Sequence, residues 1–390
     1  MRDRMPKLVW VGAAVLLLSG CGIFKGKINR ENIEPPTELA DFAPGADVDE
    51  IWTASVGDGE GKLGLRQPVA VDGGVLYAAD LDGNVRAIEA ATGRERWRVE
   101  FEGVRWSGGP GVGEGTLVIG SLDGTVVALN PDNGAERWRK SVSSEVISSP
   151  AVARGLAVVR SNDGRVFGFS IVDGERKWIY DRGLPSLTLR GNARPVIAGD
   201  TVYLGYDTGD LVALRVTDGS QVWEQTIAEG EGRSELDRMV DVDGEIVVQD
   251  ADVFVASFNG QVMALDAASG RPLWNREMSS FAGVSLAGEK LLVTDKAGTV
   301  WALDRRSGAS LWRQDGLAHR WLTTPVADGE LVAVGDLEGY VHWLKLSDGT
   351  MAARDRVGGD PIRATPQVAD GVLYVQTIDG DLSAYRARAR

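Results

Sequence analysis

From residue 50 onward, short runs of alternating apolar and polar residues recur about every 40 positions, each bounded by a glycine-containing turn. Alternation with period two puts successive side chains on opposite faces of an extended chain, so these runs predict short β-strands. The clearest run follows a turn glycine: Asp82-Gly83-Asn84-Val85-Arg86-Ala87-Ile88, then Asp123-Gly124-Thr125-Val126-Val127-Ala128-Leu129. The pattern returns at Gly164, Gly209, Gly260, Gly298, Gly339 and Gly380, eight copies spaced 41, 40, 45, 51, 38, 41 and 41 residues apart. Ten residues after six of the turn glycines comes a second marker, Gly-x-x-x-Trp, at Gly93/Trp97, Gly134/Trp138, Gly174/Trp178, Gly219/Trp223, Gly270/Trp274 and Gly308/Trp312. A third marker precedes each turn. Pro68, Pro110, Pro150, Pro195, Pro325 and Pro366 open an apolar strand, with Ile246 and Val284 in the fifth and sixth copies. Proline at the start of a strand sacrifices no ladder hydrogen bond.

Each unit therefore holds four short strands. One such sheet exposes two faces and two edges, whereas radial stacking of twisted sheets buries the faces against neighbours. The fold predicted is all-β, an eight-bladed β-propeller of four-stranded blades. Six tryptophans between blades, each contributing about 1.5–3 kcal/mol on burial, belong to its core. The seventh copy has Ala353 where tryptophan is due, and the eighth runs out at Arg390 after three strands. Ile51-Trp52-Thr53-Ala54-Ser55-Val56 has the outer-strand pattern but no preceding strands of its own. The two ends are thus expected to share the last blade, and trimming either should be more damaging than trimming ordinary termini.

The first residues carry a different message. Arg2, Arg4 and Lys7 precede the apolar run Leu8–Leu18, which is short for a membrane span and reads as a signal peptide. It ends in Leu18-Ser19-Gly20-Cys21, which resembles the bacterial lipobox, where the thiol is acylated and the chain cut just before it. Two or three acyl chains on Cys21 would suffice for stable anchoring. Gly22 follows, where an aspartate often retains lipoproteins in the inner membrane, so the expected location is the periplasmic face of the outer membrane. The polar stretch after it, with Pro35-Pro36, reads as a tether. The expected organisation is a signal peptide over 1–20, a lipid-anchored tether over 21–48 and the propeller over 49–390.

Composition narrows the function. A formal charge of −14 argues against nucleic-acid binding. The single cysteine rules out an internal disulfide and a cysteine-built metal site. His319 and His342 stand far apart, without carboxylates at ligand spacing, and Asp241-Val242-Asp243-Gly244 lacks the remaining ligands of a calcium loop. No nucleophile elbow, phosphate loop or zinc-protease helix occurs. Acids near the turns, Asp82, Asp123, Asp163 and Asp379, are expected to make Asx-type hydrogen bonds.

Across residues 50–390 the repeat, typified by Ala264-Leu265-Asp266-Ala267-Ala268-Ser269-Gly270 with Trp274, is similar to the tryptophan-docking repeat of the pyrroloquinoline-quinone dehydrogenases. Those enzymes hold the quinone with calcium ligands and often a vicinal cysteine pair, so with only Cys21 no cofactor and no metal are expected here. A closer resemblance rests on the lipobox, the eight repeats and three stretches. These are Gly183-Leu184-Pro185-Ser186-Leu187-Thr188-Leu189-Arg190-Gly191, Ser234-Glu235-Leu236-Asp237-Arg238 with Asp241-Val242-Asp243, and Glu338-Gly339-Tyr340-Val341-His342-Trp343. Together they resemble the BamB family, outer-membrane lipoproteins of the β-barrel assembly machinery. The resemblance implies a non-enzymatic scaffold that binds the POTRA domains of BamA and assists folding and insertion of outer-membrane proteins. It nominates Leu187, Leu189, Arg190, Asp241 and Asp243 as partner-binding. The competing readings are a periplasmic quinoprotein-like dehydrogenase and a chaperone that holds unfolded barrel precursors.

Geometry gives the same residues independent weight. The two longest spacings put extra residues in the connectors entering the fourth and fifth blades, and both run from an outer to the next inner strand, on one face. Arg190 stands five residues before Pro195, and Asp241 five before Ile246, so repeat equivalence sets them side by side. Leucines exposed in such a polar loop mark partner contacts. Plainer alternatives are an ion pair between Arg190 and the aspartates, and leucines tucked beneath the loop.

Overall fold

The computed structural model describes residues 34–390, apart from 185, 186, 189, 190, 192, 232 and 235–237. The described strands form eight antiparallel sheets of four strands, each meandering outward from a three- or four-residue inner strand to an outer one. Blade one consists of Ala70–Asp72, Val75–Ala79, Asn84–Glu89 and Glu95–Glu100. Blades two to seven repeat it over 111–141, 151–180, 196–226, 247–277, 284–314 and 326–356. Blade eight takes Gln367–Ala369, Val372–Gln376 and Asp381–Ala389 from the end of the chain, and its outer strand, Ala46–Ser55, from the beginning. That strand pairs with the last one from Ala46↔Ala389 to Ser55↔Asp381. The predicted architecture and its closure are both present.

The core is not one mass but eight apolar clusters, each between two neighbouring blades. The cluster of Leu76, Ala78 and Ile88 with Tyr374, Leu382 and Ala384 joins blade eight to blade one and closes the ring. The recurring tryptophan works across these junctions. The indole N–H of Trp52, Trp97, Trp138, Trp178, Trp223, Trp274 and Trp312 donates to a backbone carbonyl in the next blade at 2.7–3.0 Å. Its ring covers the next blade's marker glycine. Gly93, Gly134, Gly174, Gly219, Gly270, Gly308 and Gly349 have φ of 67–76°, and a methyl group on any of them would lie closer than 3.0 Å to the ring of the preceding blade's tryptophan. Only glycine meets both demands, left-handed backbone and no side chain under the ring.

On its own sheet each docking tryptophan faces a small residue: Ala87↔Trp97, Ala128↔Trp138, Gly168↔Trp178, Ala213↔Trp223, Ala264↔Trp274, Ala302↔Trp312 and Ala384↔Trp52. Blade seven inverts the pair, setting Trp343 on the third strand opposite Ala353 on the outer one. Trp343 is fully buried, donates to Asp328 Oδ2 at 3.1 Å and meets Tyr385 of blade eight edge-on at 5.4 Å. The missing tryptophan has moved one strand inward.

Two expectations shift. The first strand begins at Ala46 rather than 49, and residues 37–45 ahead of it lie across blade seven. Thr37 N–H donates to Ala318 O, and Arg320 and Arg354 donate to the carbonyls of Thr37 and Ala40. Phe42 lies under the Arg354 guanidinium, and Gly45 N–H donates to Ala352 O. Among the turns, Asp123 and Asp163 accept from the backbone as expected. In blade one, however, the acceptor is Asp80 rather than Asp82, and in blade eight it is the Thr377 hydroxyl rather than Asp379. A side chain at the end of the second strand is already aimed into the turn, so it reaches the amides first.

Candidate functional site: the connector face

Every connector from an outer strand to the next inner strand emerges on one face of the ring, because each blade meanders through an even number of strands. Within blades three to five, connectors 181–195 and 227–246 are the longest, and both sequence-nominated segments lie in them. Leu187 is 43% exposed. Leu189 and Arg190, like Cys21, lie outside the described residues.

Gly191 ends the first segment as a plug in the second. Its N–H donates to Asp207 Oδ1 at 2.9 Å, and an added methyl group would lie 2.8 Å from both Asp207 Oδ1 and Asp241 Oδ2. The two connectors are therefore in contact, as repeat equivalence implied. The second is pinned from below: Val242 is fully buried with its N–H on Tyr206 O, and Phe258 N–H donates to Asp241 O at 2.7 Å.

This pinning decides what each aspartate presents. The Asp241 side chain is wholly buried beneath Gly191, and neither carboxylate oxygen finds a hydrogen-bond donor among the described residues. It therefore offers no surface to a visitor, because the buried Val242 beside it holds the segment face-down. Burial pushes the Asp241 carboxyl well above the ordinary carboxylate range. The charges of Asp243 and Asp207 push the same way, with Arg160 opposing. Arg160 pairs with Asp207 at 3.4 Å, both buried, and stacks with Arg182 against the Tyr206 ring. Asp243 sits nearer the rim, with its side chain 8% exposed, and pairs with Arg66 at 3.4 Å.

Arg66 escaped the sequence reading. It belongs to the connector entering blade one, 177 residues from Asp243, and no local pattern links positions so far apart. Trp321 escaped it too, though a signal existed: it stands outside the Gly-x-x-x-Trp register, and it is 67% exposed. His342 is buried, with Nε2 on Asp336 Oδ2 at 2.9 Å and Nδ1 accepting from Arg354 Nε at 3.3 Å, an arrangement that pins blade seven. Among the described residues no three His, Cys, Asp or Glu side chains are grouped to hold a metal ion, and no helix is long and apolar enough to cross a membrane.

Comparison with known proteins agrees with this geometry. A family model described as outer membrane protein assembly factor BamB matches residues 39–105, 81–314 and 303–389. The chain is 44% identical to the outer membrane protein assembly factor BamB of Xanthomonas campestris, over 98% of each chain. It is 35% identical to that of Escherichia coli, over 97% of this chain and 98% of that one. The crystal structure of BamB from Moraxella catarrhalis superposes with a TM-score of 0.80 at 27% identity, covering 87% of this chain and 100% of that one. The quinohemoprotein alcohol dehydrogenase of Comamonas testosteroni superposes with a TM-score of 0.71 at 15% identity, covering 87% and 76%, a likeness of fold alone.

Proposed function

Since the chain belongs to the family of the outer membrane protein assembly factor BamB, we propose that the connector face between blades three and five docks the POTRA domains of BamA. The protein is a scaffold lipoprotein of the outer-membrane assembly machinery and not an enzyme. Its signal peptide covers 1–20, Cys21 carries the acyl chains, and by binding BamA it assists the folding and insertion of outer-membrane proteins.

The carrying observation is an exposed leucine in the connector that Gly191 fastens. Leu187 projects from a connector whose following glycine, Gly191, is packed against two buried carboxyls, that of Asp207 in a turn of blade four and that of Asp241 in the next connector. An exposed apolar side chain of this kind suits use as an anchor at an interface. In this reading Leu187, Leu189 and Arg190 touch the partner, Asp243 borders the contact with Arg66, and Asp241 acts from beneath by holding Gly191.

Capture of BamA from solubilised membranes by the tagged full chain tests it. Leu187→Asp and Arg190→Ala are expected to weaken capture about tenfold or more. Val172→Asp, in a hairpin on the opposite face with 82% exposure, should leave it unchanged. Equal capture by all three variants would remove these connectors from the interface. Cys21→Ser should release the protein from the membrane fraction, and its retention there would refute the anchor.

A further inference from the structure

Across the channel mouth from Leu187, the connectors entering blades six, seven, eight and one enclose a second feature, a cavity of about 390 Å³. Phe281 and Trp321 form one wall, with ring centroids 5.9 Å apart and planes inclined at 42°. The buried Leu322 and Ile362 line its floor. Arg66 stands over the Phe281 ring at 5.7 Å and donates to Phe281 O. The Arg363 guanidinium lies against Gly64 at the lip, and Arg363 is exposed, with no hydrogen bond or ion pair to a described residue.

Backbone strain gathers at the same place. Eight described non-glycine residues have positive φ. Glu114, Arg154, Asp250, Asn259 and Asp370 sit in hairpin turns, where left-handed backbone is ordinary. The other three are Arg66 at 55°, His319 at 59° and Trp321 at 53°, two lining the cavity and one beside it. A bulky aromatic held left-handed and two-thirds exposed is costly on both counts, and such strain collects where a side chain must be presented.

We propose that this cavity binds an extended partner segment in which an aromatic side chain is followed by an aspartate or glutamate. The aromatic ring fits between Phe281 and Trp321 over the apolar floor, where tilted rings attract beyond their buried area. The acidic side chain meets Arg363. Charge complementarity selects the occupant: the chain as a whole carries −14, yet this lip presents the exposed Arg363 guanidinium, whose charge also acts on the buried Glu60. Two acids beside it have partners of their own. Asp243 pairs with Arg66, and the buried Glu60 accepts from Gln67 N–H at 2.9 Å. Tryptophan and arginine at the rim of a desolvated pocket are the composition of a binding hot spot. The site borders the surface assigned to BamA: Arg66, Ala282 and Arg363 line a groove shared with Asp243 and Glu245, and Glu245 N–H donates to Ala282 O at 3.1 Å.

Fluorescence anisotropy with the full chain and a labelled, amide-capped hexapeptide carrying a central Phe-Asp tests this. Saturable binding is expected, weakened about tenfold or more when the peptide carries Ala-Asp or Phe-Asn, and likewise by Trp321→Ala or Arg363→Gln in the protein. Both protein side chains are exposed, and unchanged thermal midpoints would show that the fold survives. The peptide pairs decide the matter on the wild-type protein in any case. Absence of saturable binding, equal binding of Phe-Asn and Phe-Asp, or binding only of a peptide with a free terminal carboxylate would each overturn the proposal.

Discussion

Seven junctions of the ring are alike, and the eighth, between blades seven and eight, is not. At the seven, an outer-strand tryptophan donates to a neighbouring backbone carbonyl and its ring lies on that neighbour's left-handed glycine. At the eighth there is no such glycine turn to land on, because the two ends of the chain meet there: Arg390 N–H donates to Gly45 O, and Arg390 pairs with Asp47. The aromatic mass is kept but relocated to Trp343, whose N–H goes to a carboxylate instead of a carbonyl. A repeat thus conserves the volume at a junction more strictly than the position that supplies it.

The largest effect should come from opening the odd junction. Deleting residues 46–55 removes the outer strand of blade eight and bares the sheet edge of Asp381–Ala389, so the protein should be recovered aggregated or grossly destabilised by gel filtration and circular dichroism. Next come the aromatic locks. Trp178→Ala, 6% exposed, and Trp343→Ala, fully buried, should each cost about 3–5 kcal/mol in chemical denaturation. The double exchange Trp343→Ala with Ala353→Trp restores the common arrangement on paper. It should recover little, since no marker glycine faces position 353, and full recovery would show the inversion to be arbitrary.

A pH effect should separate the two kinds of junction further. Burial pushes the Asp328 carboxyl above its ordinary 3.8, against the pull of the Trp343 N–H. A carboxyl raised by folding holds its proton more tightly in the folded chain. Its contribution to stability is then complete below about 3.8 and is lost as pH rises through the folded-state value. Asp328→Asn keeps an acceptor for Trp343 and should flatten that part of the profile, read from denaturation midpoints between roughly pH 4 and pH 8. The smallest effect belongs to Asp47→Ala at the same seam, an exposed ion pair with Arg390 whose removal should not move the thermal midpoint measurably.

Much of the fold was legible because propeller contacts run between adjacent repeats, so the marker spacing carries most of the information. The count of eight, the closure by Ile51–Val56 and the contact of the two long connectors all follow from it. What the spacing conceals is which partner each marker meets. Gly93 and Trp97 share a motif, yet Gly93 packs under Trp52 and Trp97 covers Gly134. The motif is half of one contact and half of the next. Asp241 illustrates a second limit: a polar residue in a loop reads as exposed, but the apolar Val242 beside it anchors the segment and turns the carboxylate inward. Arg66 and Trp321 mark a third, since residues that meet across the mouth of a ring come from distant repeats and leave no periodic trace.

The segment 37–45 has a mechanical consequence. A pull arriving along the chain from its N-terminal side meets Thr37, held between Ala318 and the 2%-exposed Arg320, then Ala40 and Phe42 on Arg354, before it reaches Ala46. The strand that shuts the ring is therefore loaded last, behind a fastening on blade seven that acts as strain relief. Tugging on the anchor must unbutton that fastening before it can begin to unzip the circle.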